Sequence, residues 1–145
     1  MILDTSGLLL AIDASQRQHA ACAESLAEAT PPLVLSPFVL GELDYLLATQ
    51  VGGRAQLALV DEVARNVYRL GSFSARDVSV AADVMRRYAN LAIGLADASI
   101  VALAQRHGTR DVLTLDERHF RALRTSDQAF PGAASGPVTS QEGAI

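Results

Sequence analysis

Leu33-Val34-Leu35-Ser36-Pro37-Phe38-Val39-Leu40-Gly41-Glu42-Leu43 changes character at one point. Three apolar residues read as a short strand. Ser36 then offers a hydroxyl at an N-cap, and Pro37 stands at the first helical position, where its missing N–H costs nothing. A strand that feeds directly into a helix is the join from which α/β domains are built.

The same join recurs on either side of this stretch. Met1 to Leu3 is a brief apolar run ending at Asp4-Thr5-Ser6-Gly7, after which Leu8, Leu9, Leu10 and Ile12 recur at helical spacing. Asp13-Ala14-Ser15 offers caps for a second helix to about Ala29, stopped by Thr30-Pro31-Pro32. The helix opened at Pro37 is expected to run to about Gln50 and end at Val51-Gly52-Gly53. A further helix is predicted from Gly53 to about Arg65, then a strand from Val67 to Leu70. Ser74 and Asp77 have capping-box spacing and open a helix to about Tyr88. Gly94 precedes a helix from Leu95 to His107 that Gly108 closes as a left-handed cap. Asp111 to Leu115 is a strand, followed by a short helix from Glu117 to Leu123.

The alternation predicts an α/β/α sandwich with a mostly parallel central sheet of four to five short strands. The 145 residues fit one domain, spanning 1–124, with a C-terminal segment over 125–145. That segment is Ser, Ala, Gly and Pro with little to bury, and mobility is expected beyond about residue 131.

Composition narrows the function. All 12 basic residues are Arg, and the formal charge is −4, so the broad basic surface of many nucleic-acid binders is missing. Arg can still clamp a phosphate through paired donors. Cys22 is alone and has no partner for a disulfide or a zinc site. With no basic leader before Asp4 and only Leu8 to Ile12 as a contiguous apolar stretch, a soluble cytoplasmic protein is expected, without a membrane span. The high apolar fraction, 50%, hints at surface covered by another chain.

Four carboxylates carry the chemistry: Asp4, Glu42, Asp97 and Asp116. Each sits where a strand yields to a helix or on the helix that follows, which in a parallel sheet is the rim where sites form. Asp4 and Asp116 are equally well read as N-caps, and Asp97 as a first-turn charge facing the helix dipole. Glu42 lies in a helix apolar on nearly every side, and spacing alone leaves the choice between Glu42 and Asp44 open. Several acids on one rim repel, by roughly 4 kcal/mol per pair at about 4 Å and an effective dielectric near 20, unless a cation joins them. Weaker signals are the H-x-x-C spacing of His19 and Cys22, which lacks the further ligands zinc needs, His119 three residues after Asp116, more simply an exposed or capping histidine, and Arg87, Arg110, Arg118 and Arg121 as a phosphate path, each by default on a solvated helix face.

Four segments taken in order, Met1-Ile2-Leu3-Asp4-Thr5-Ser6, Ser36 to Leu43, Gly94-Leu95-Ala96-Asp97-Ala98-Ser99-Ile100 and Val112-Leu113-Thr114-Leu115-Asp116-Glu117-Arg118-His119-Phe120, resemble the PIN-domain ribonucleases, most closely VapC-type toxins of type II toxin–antitoxin systems. The resemblance covers residues 1 to about 123 and favours Glu42 over Asp44. It implies an endoribonuclease toxin dependent on Mg²⁺, with Mn²⁺ as an alternative. Asp4, Glu42, Asp97 and Asp116 would then be metal-holding catalytic residues, and Thr5, Ser6 or Ser99 would add hydroxyl contacts. It further implies a homodimer, neutralised by a cognate VapB-type antitoxin, that cuts structured RNA in transfer or ribosomal RNA loops. A phosphoaspartyl enzyme fits poorly, since Ser6 stands where a second Asp is wanted and no Lys is present. A non-catalytic domain that only binds RNA or protein is the remaining alternative.

Overall fold

In the computed structural model, residues 1–115 are described in full, together with the strands Arg124–Thr125, Gln128–Ala129 and Ala133–Ser135. The sheet is built from β1 (Ile2–Leu3), β2 (Val34–Leu35), β3 (Arg69–Leu70), β4 (Val112–Thr114) and β7 (Ala133–Ser135), in the order β3-β2-β1-β4-β7. All its pairings are parallel, with Ile2 beside Val34 and Val112, and Leu3 beside Leu35 and Leu113. β5 (Arg124–Thr125) and β6 (Gln128–Ala129) form a separate antiparallel pair.

Ile2 and Leu3 are both fully buried although successive strand residues point to opposite faces, so both faces of the sheet are covered. The cover comes from α1 (Thr5–Ile12), α2 (His19–Glu28), α3 (Pro37–Leu46), α4 (Gly53–Ala64), α5 (Ala75–Arg87) and α6 (Leu95–His107). The expected α/β/α sandwich is therefore found. One core joins the layers, with Leu8, Val39, Leu43, Ile100 and Leu103 meeting the strand residues Leu35 and Leu113. At Gly7 an added Cβ would stand 2.5 Å from the Leu113 carbonyl, so only glycine lets α1 lie this close to β4.

Three boundaries depart from the sequence reading, each for a local reason. α2 begins at His19 rather than near Asp13. The Asp13 carboxylate accepts from the Ser15 amide and hydroxyl and from the Gln16 side chain, which holds a turn instead. α3 stops at Leu46 and continues to Val51 as a π-helical turn, where the Thr49 hydroxyl donates back to the Tyr45 and Leu46 carbonyls. β3 starts at Arg69 because the Val67 amide is taken by the Glu62 carbonyl. α6 runs from Leu95 to His107 as expected, and Gly108 closes it at φ 57°. The helix expected over 117–123 lies outside the described residues. So does most of the segment beyond 131, apart from the strand Ala133–Ser135 beside β4. Among the described residues no helix is long and apolar enough to cross a membrane.

Candidate active site

Because β1, β2 and β4 are parallel, their C-terminal ends share one rim, and Asp4, Ser36 and Leu115 emerge there side by side. Asp4 is locked in place by its backbone. Its amide donates to the Leu113 carbonyl at 3.0 Å and its own carbonyl accepts from the Leu8 amide at 3.1 Å, so it belongs at once to the sheet and to the first turn of α1. It occupies the N-cap position, yet its side chain caps nothing. Instead Oδ2 accepts from the Ser6 hydroxyl and the Thr114 hydroxyl, each at 2.6 Å. The Ser6 oxygen in turn accepts from the Leu115 amide at 2.9 Å, which ties the end of β4 to the start of α1.

The Asp4 side chain is buried, with 5% of the residue exposed. Burial pushes its carboxyl pKa up, and the negative charge of Asp97 adds to the rise; the Ser6 and Thr114 hydroxyls and the Thr5 backbone oppose it. Asp97 thus reaches the rim electrostatically from the first turn of α6. The capping reading is also met, since its Oδ2 accepts from the Gly94 amide at 3.2 Å. The side chain is half-buried.

Glu42 and Asp44 part company. Glu42 is exposed, not enclosed by the apolar helix, and Oε2 accepts from the Thr5 hydroxyl at 2.5 Å. It is held against the residue next to Asp4. Asp44 faces α4 and accepts from the Gln56 side chain at 2.7 Å, which is a structural tie. Asp4 thus closes β1, Glu42 is tied to Thr5 beside it, and Asp97 acts on Asp4 through its charge, while Asp116 and His119 lie outside the described residues. Among the described residues no three acidic, histidine or cysteine side chains form a group that could hold a metal ion. What the rim offers is a buried carboxylate with a second one in its field, all-oxygen donors of the kind a hard cation takes. Mg²⁺ commonly uses one or two carboxylates with water and substrate phosphate completing its shell, so these residues fit such an ion without forming a cage.

The hydroxyls fall differently from expectation. Thr5 and Ser6 do serve the carboxylates. Ser99 turns away: it donates to the Ala96 carbonyl at 2.6 Å and accepts from Ser36 at 2.6 Å, both side chains being wholly buried. Ser36 also accepts from the Phe38 amide as the cap of α3. This pair pins the start of α3, which carries Glu42, to the first turns of α6, which carries Asp97. Thr114 was missed as a functional residue; a lone hydroxyl within the apolar run Val112-Leu113-Thr114-Leu115 is the signal that marks it. The His19 ring nitrogen Nδ1 meets the Leu10 carbonyl at 3.0 Å, and Cys22 is buried in its helix. Arg87 and Arg110 are exposed and engaged with neighbours, and Arg118 and Arg121 lie outside the described residues.

Comparison with known proteins bears on the family and the fold. The PIN domain family model matches residues 1–125. The chain is 47% identical over 124 residues to Ribonuclease VapC26 of Mycobacterium tuberculosis, covering 86% of this chain and 92% of that protein. The crystal structure of Mycobacterium tuberculosis VapC20, a toxin that cleaves the sarcin-ricin loop, superposes with a TM-score of 0.78 at 23% identity, over 88% of this chain and 98% of that one. DNA-bound VapBC from Salmonella typhimurium follows at 0.64 and 19% identity, over 84% and 90%. These structures share the fold. With the family model spanning nearly the whole described chain and a ribonuclease relative at 47% identity, this chain belongs to the PIN-domain family, among the VapC-type ribonucleases.

Proposed function

We propose that this chain is a metal-dependent endoribonuclease toxin that hydrolyses phosphodiester bonds in structured RNA, in transfer or ribosomal RNA loops, and so inhibits translation. The observation that carries the reading is Asp4: a buried carboxylate with Asp97 in its field and no basic partner among its named contacts, in a chain that is 47% identical to a ribonuclease. A structural aspartate would be expected to have a cation or a cap to serve.

Asp4 and Asp97 would hold a divalent cation, Mg²⁺ or Mn²⁺, with Glu42 and Asp116 in direct or water-mediated contact. When bound, that ion supplies polarisation of the scissile phosphodiester and neutralisation of its developing charge. The chain's own residues do the rest. Ser6 and Thr114 fix the orientation of the Asp4 carboxylate by holding Oδ2. Thr5 holds Glu42, whose exposed carboxylate would accept a proton from an attacking water. Attack of that water on phosphorus with departure of the 3′ oxygen leaves 5′-phosphate and 3′-hydroxyl ends. A homodimer and a cognate VapB-type antitoxin as inhibitor complete the proposal.

Expression of the chain beside its Asp4→Asn variant, with sequencing of new RNA 5′ ends, tests it. New 5′-phosphate ends seen only with the unaltered chain, and suppressed by EDTA in vitro, are the expected result. Ends bearing 2′,3′-cyclic phosphate would reject water as the nucleophile, and identical profiles would leave only a binding module.

A further inference from the structure

We propose that Tyr45 and Gly41 form a stacking platform for one nucleobase of single-stranded RNA beside the phosphodiester that is cut. The inference rests on the ribonuclease reading and adds a contact to the same site.

Tyr45 stands apart from the other aromatic residues among those described. Phe38 and Phe73 pack edge to face with centroids 5.2 Å apart, and Tyr68 is 5% exposed. Tyr45 is 67% exposed, the most exposed large apolar side chain among the described residues. Its position on α3 gives that exposure meaning. Glu42 lies three residues earlier, a distance at which side chains on a helix are neighbours, and Glu42 is bonded to Thr5 next to Asp4. Helical side chains lean toward the N-terminus of their helix and cover the preceding turn, and for Tyr45 that turn carries Gly41 and Glu42.

Gly41 supplies an independent observation. It is four residues before Tyr45, on the same face, and a Cβ placed there would meet nothing within 4 Å. Packing does not demand a glycine, and a glycine within a helix is destabilising relative to alanine. It leaves open space on the face of α3 that also carries Tyr45, and a flat base stacked on the ring needs such space. Charge points the same way. The chain carries a formal −4 and lacks any Lys, so its hold on RNA has to draw on contacts other than a general positive field. Base–aromatic stacking is such a contact, and it tolerates any base because each has a π face.

The chain has no Trp, so Tyr45→Trp installs a single indole reporter at the site. The probe is a mixed-sequence 12-nucleotide single-stranded RNA, titrated in EDTA so that it is bound and not cut. Saturable quenching of the indole is expected. Tyr45→Phe should bind as the unaltered chain does, and Tyr45→Ala roughly tenfold more weakly. With metal present, the Tyr45→Ala loss should fall on KM more than on kcat. Gly41→Leu should fill that space and weaken RNA binding about as much without lowering Tm, which separates the effect from a folding defect. Indole emission indifferent to RNA, or unchanged affinity in Tyr45→Ala, overturns the platform. So does a Tyr45→Ala variant that loses self-association while keeping full RNA affinity, which would assign this face to a protein neighbour. An unaltered chain that cuts RNA while these variants match it sinks the platform alone; an unaltered chain that neither binds nor cuts RNA sinks the ribonuclease reading as well.

Discussion

Asp4 and Asp77 each accept a hydrogen bond from a serine hydroxyl, Ser6 at 2.6 Å and Ser74 at 2.7 Å, yet their acidities move in opposite directions. Asp77 is brought down to about 2, foremost by the Ser74 backbone amide and then by the Arg106 side chain and the Ser74 hydroxyl. It completes the capping box of α5 and pairs with Arg106, whose guanidinium also donates to the Ser72 carbonyl at 2.7 Å and lies 5.6 Å from the centre of the Phe73 ring. Every feature of Asp77 is explained by α5 and α6 needing to start and dock. Asp4 has two hydroxyl donors and the Thr5 backbone, with no cation among its named contacts in the described residues, and burial outweighs these donors. A serine hydroxyl therefore does not decide the outcome; burial does at Asp4, and the Ser74 amide with the Arg106 side chain does at Asp77. The same residue type is a fastener in one place and a standing cost in the other, and a cost without a structural return points to chemistry.

The largest expected effect breaks Asp4 away from Asp77 directly. A carboxyl whose folded pKa is raised contributes stability that is full below its unfolded value, near 3.8, and is lost as pH rises through the higher folded value. At neutral pH ionised Asp4 is therefore a burden on the fold. Asp4→Asn keeps an oxygen for Ser6 and Thr114 and removes the charge. RNA cleavage should fall by more than the roughly 100-fold typical of lost supporting contacts around a metal, while Tm at pH 7 rises. The Tm gain should shrink as the pH is lowered toward 4. A lower Tm at pH 7 would mean that the Asp4 charge is structural after all.

Thr114→Val sharpens the contrast from the other side. The change is close to isosteric and takes one of the two hydroxyl donors from Oδ2 at a site with no exposure. A hydrogen bond to a charged group in such a place is worth about 2 kcal/mol, and urea unfolding at pH 7 should show that loss. Combined with Asp4→Asn the cost should be smaller, because the donor then serves a neutral amide; additive losses would show that Thr114 acts on the sheet and not through Asp4.

How far this was legible in the sequence depends on range. The strand-to-helix joins, the Ser36-Pro37 start, the Ser74 capping box and the Gly108 cap are local chemistry, and they were found where the residues predicted them. The start of α2 was misplaced because Asp13, a good cap by type, spends its carboxylate on Ser15 and Gln16 instead. Nothing in composition separates those two uses. The choice of Glu42 over Asp44 rested on resemblance, since helical spacing gave both an apolar neighbourhood; the partners that separate them, Thr5 and Gln56, lie 37 and 12 residues away along the chain. Thr114 and the Ser36–Ser99 pair were hidden for the same reason, as contacts across 110 and 63 residues, the first made by the parallel register of β1 and β4 and the second by the packing of α6 against the start of α3.

The smallest expected effects test Asp77. Ser74→Ala removes the cap and should cost about 1 kcal/mol, independent of salt. Asp77→Asn keeps an oxygen for the Ser74 amide but loses the ion pair with Arg106, so its deficit should be smaller and should shrink in concentrated salt. Its pH dependence carries the sign opposite to that of Asp4. A lowered folded pKa gives stability present above the unfolded value and lost as pH falls through the folded one, here from near 3.8 down to about 2. Denaturation at pH 7, 4 and 2 should therefore show the unaltered chain ahead of Asp77→Asn at the first two and level with it at the third. A gap that stays constant to pH 2 would mean that the Asp77 charge contributes nothing and its hydrogen-bond geometry everything, and the contrast with Asp4 would then be one of burial alone.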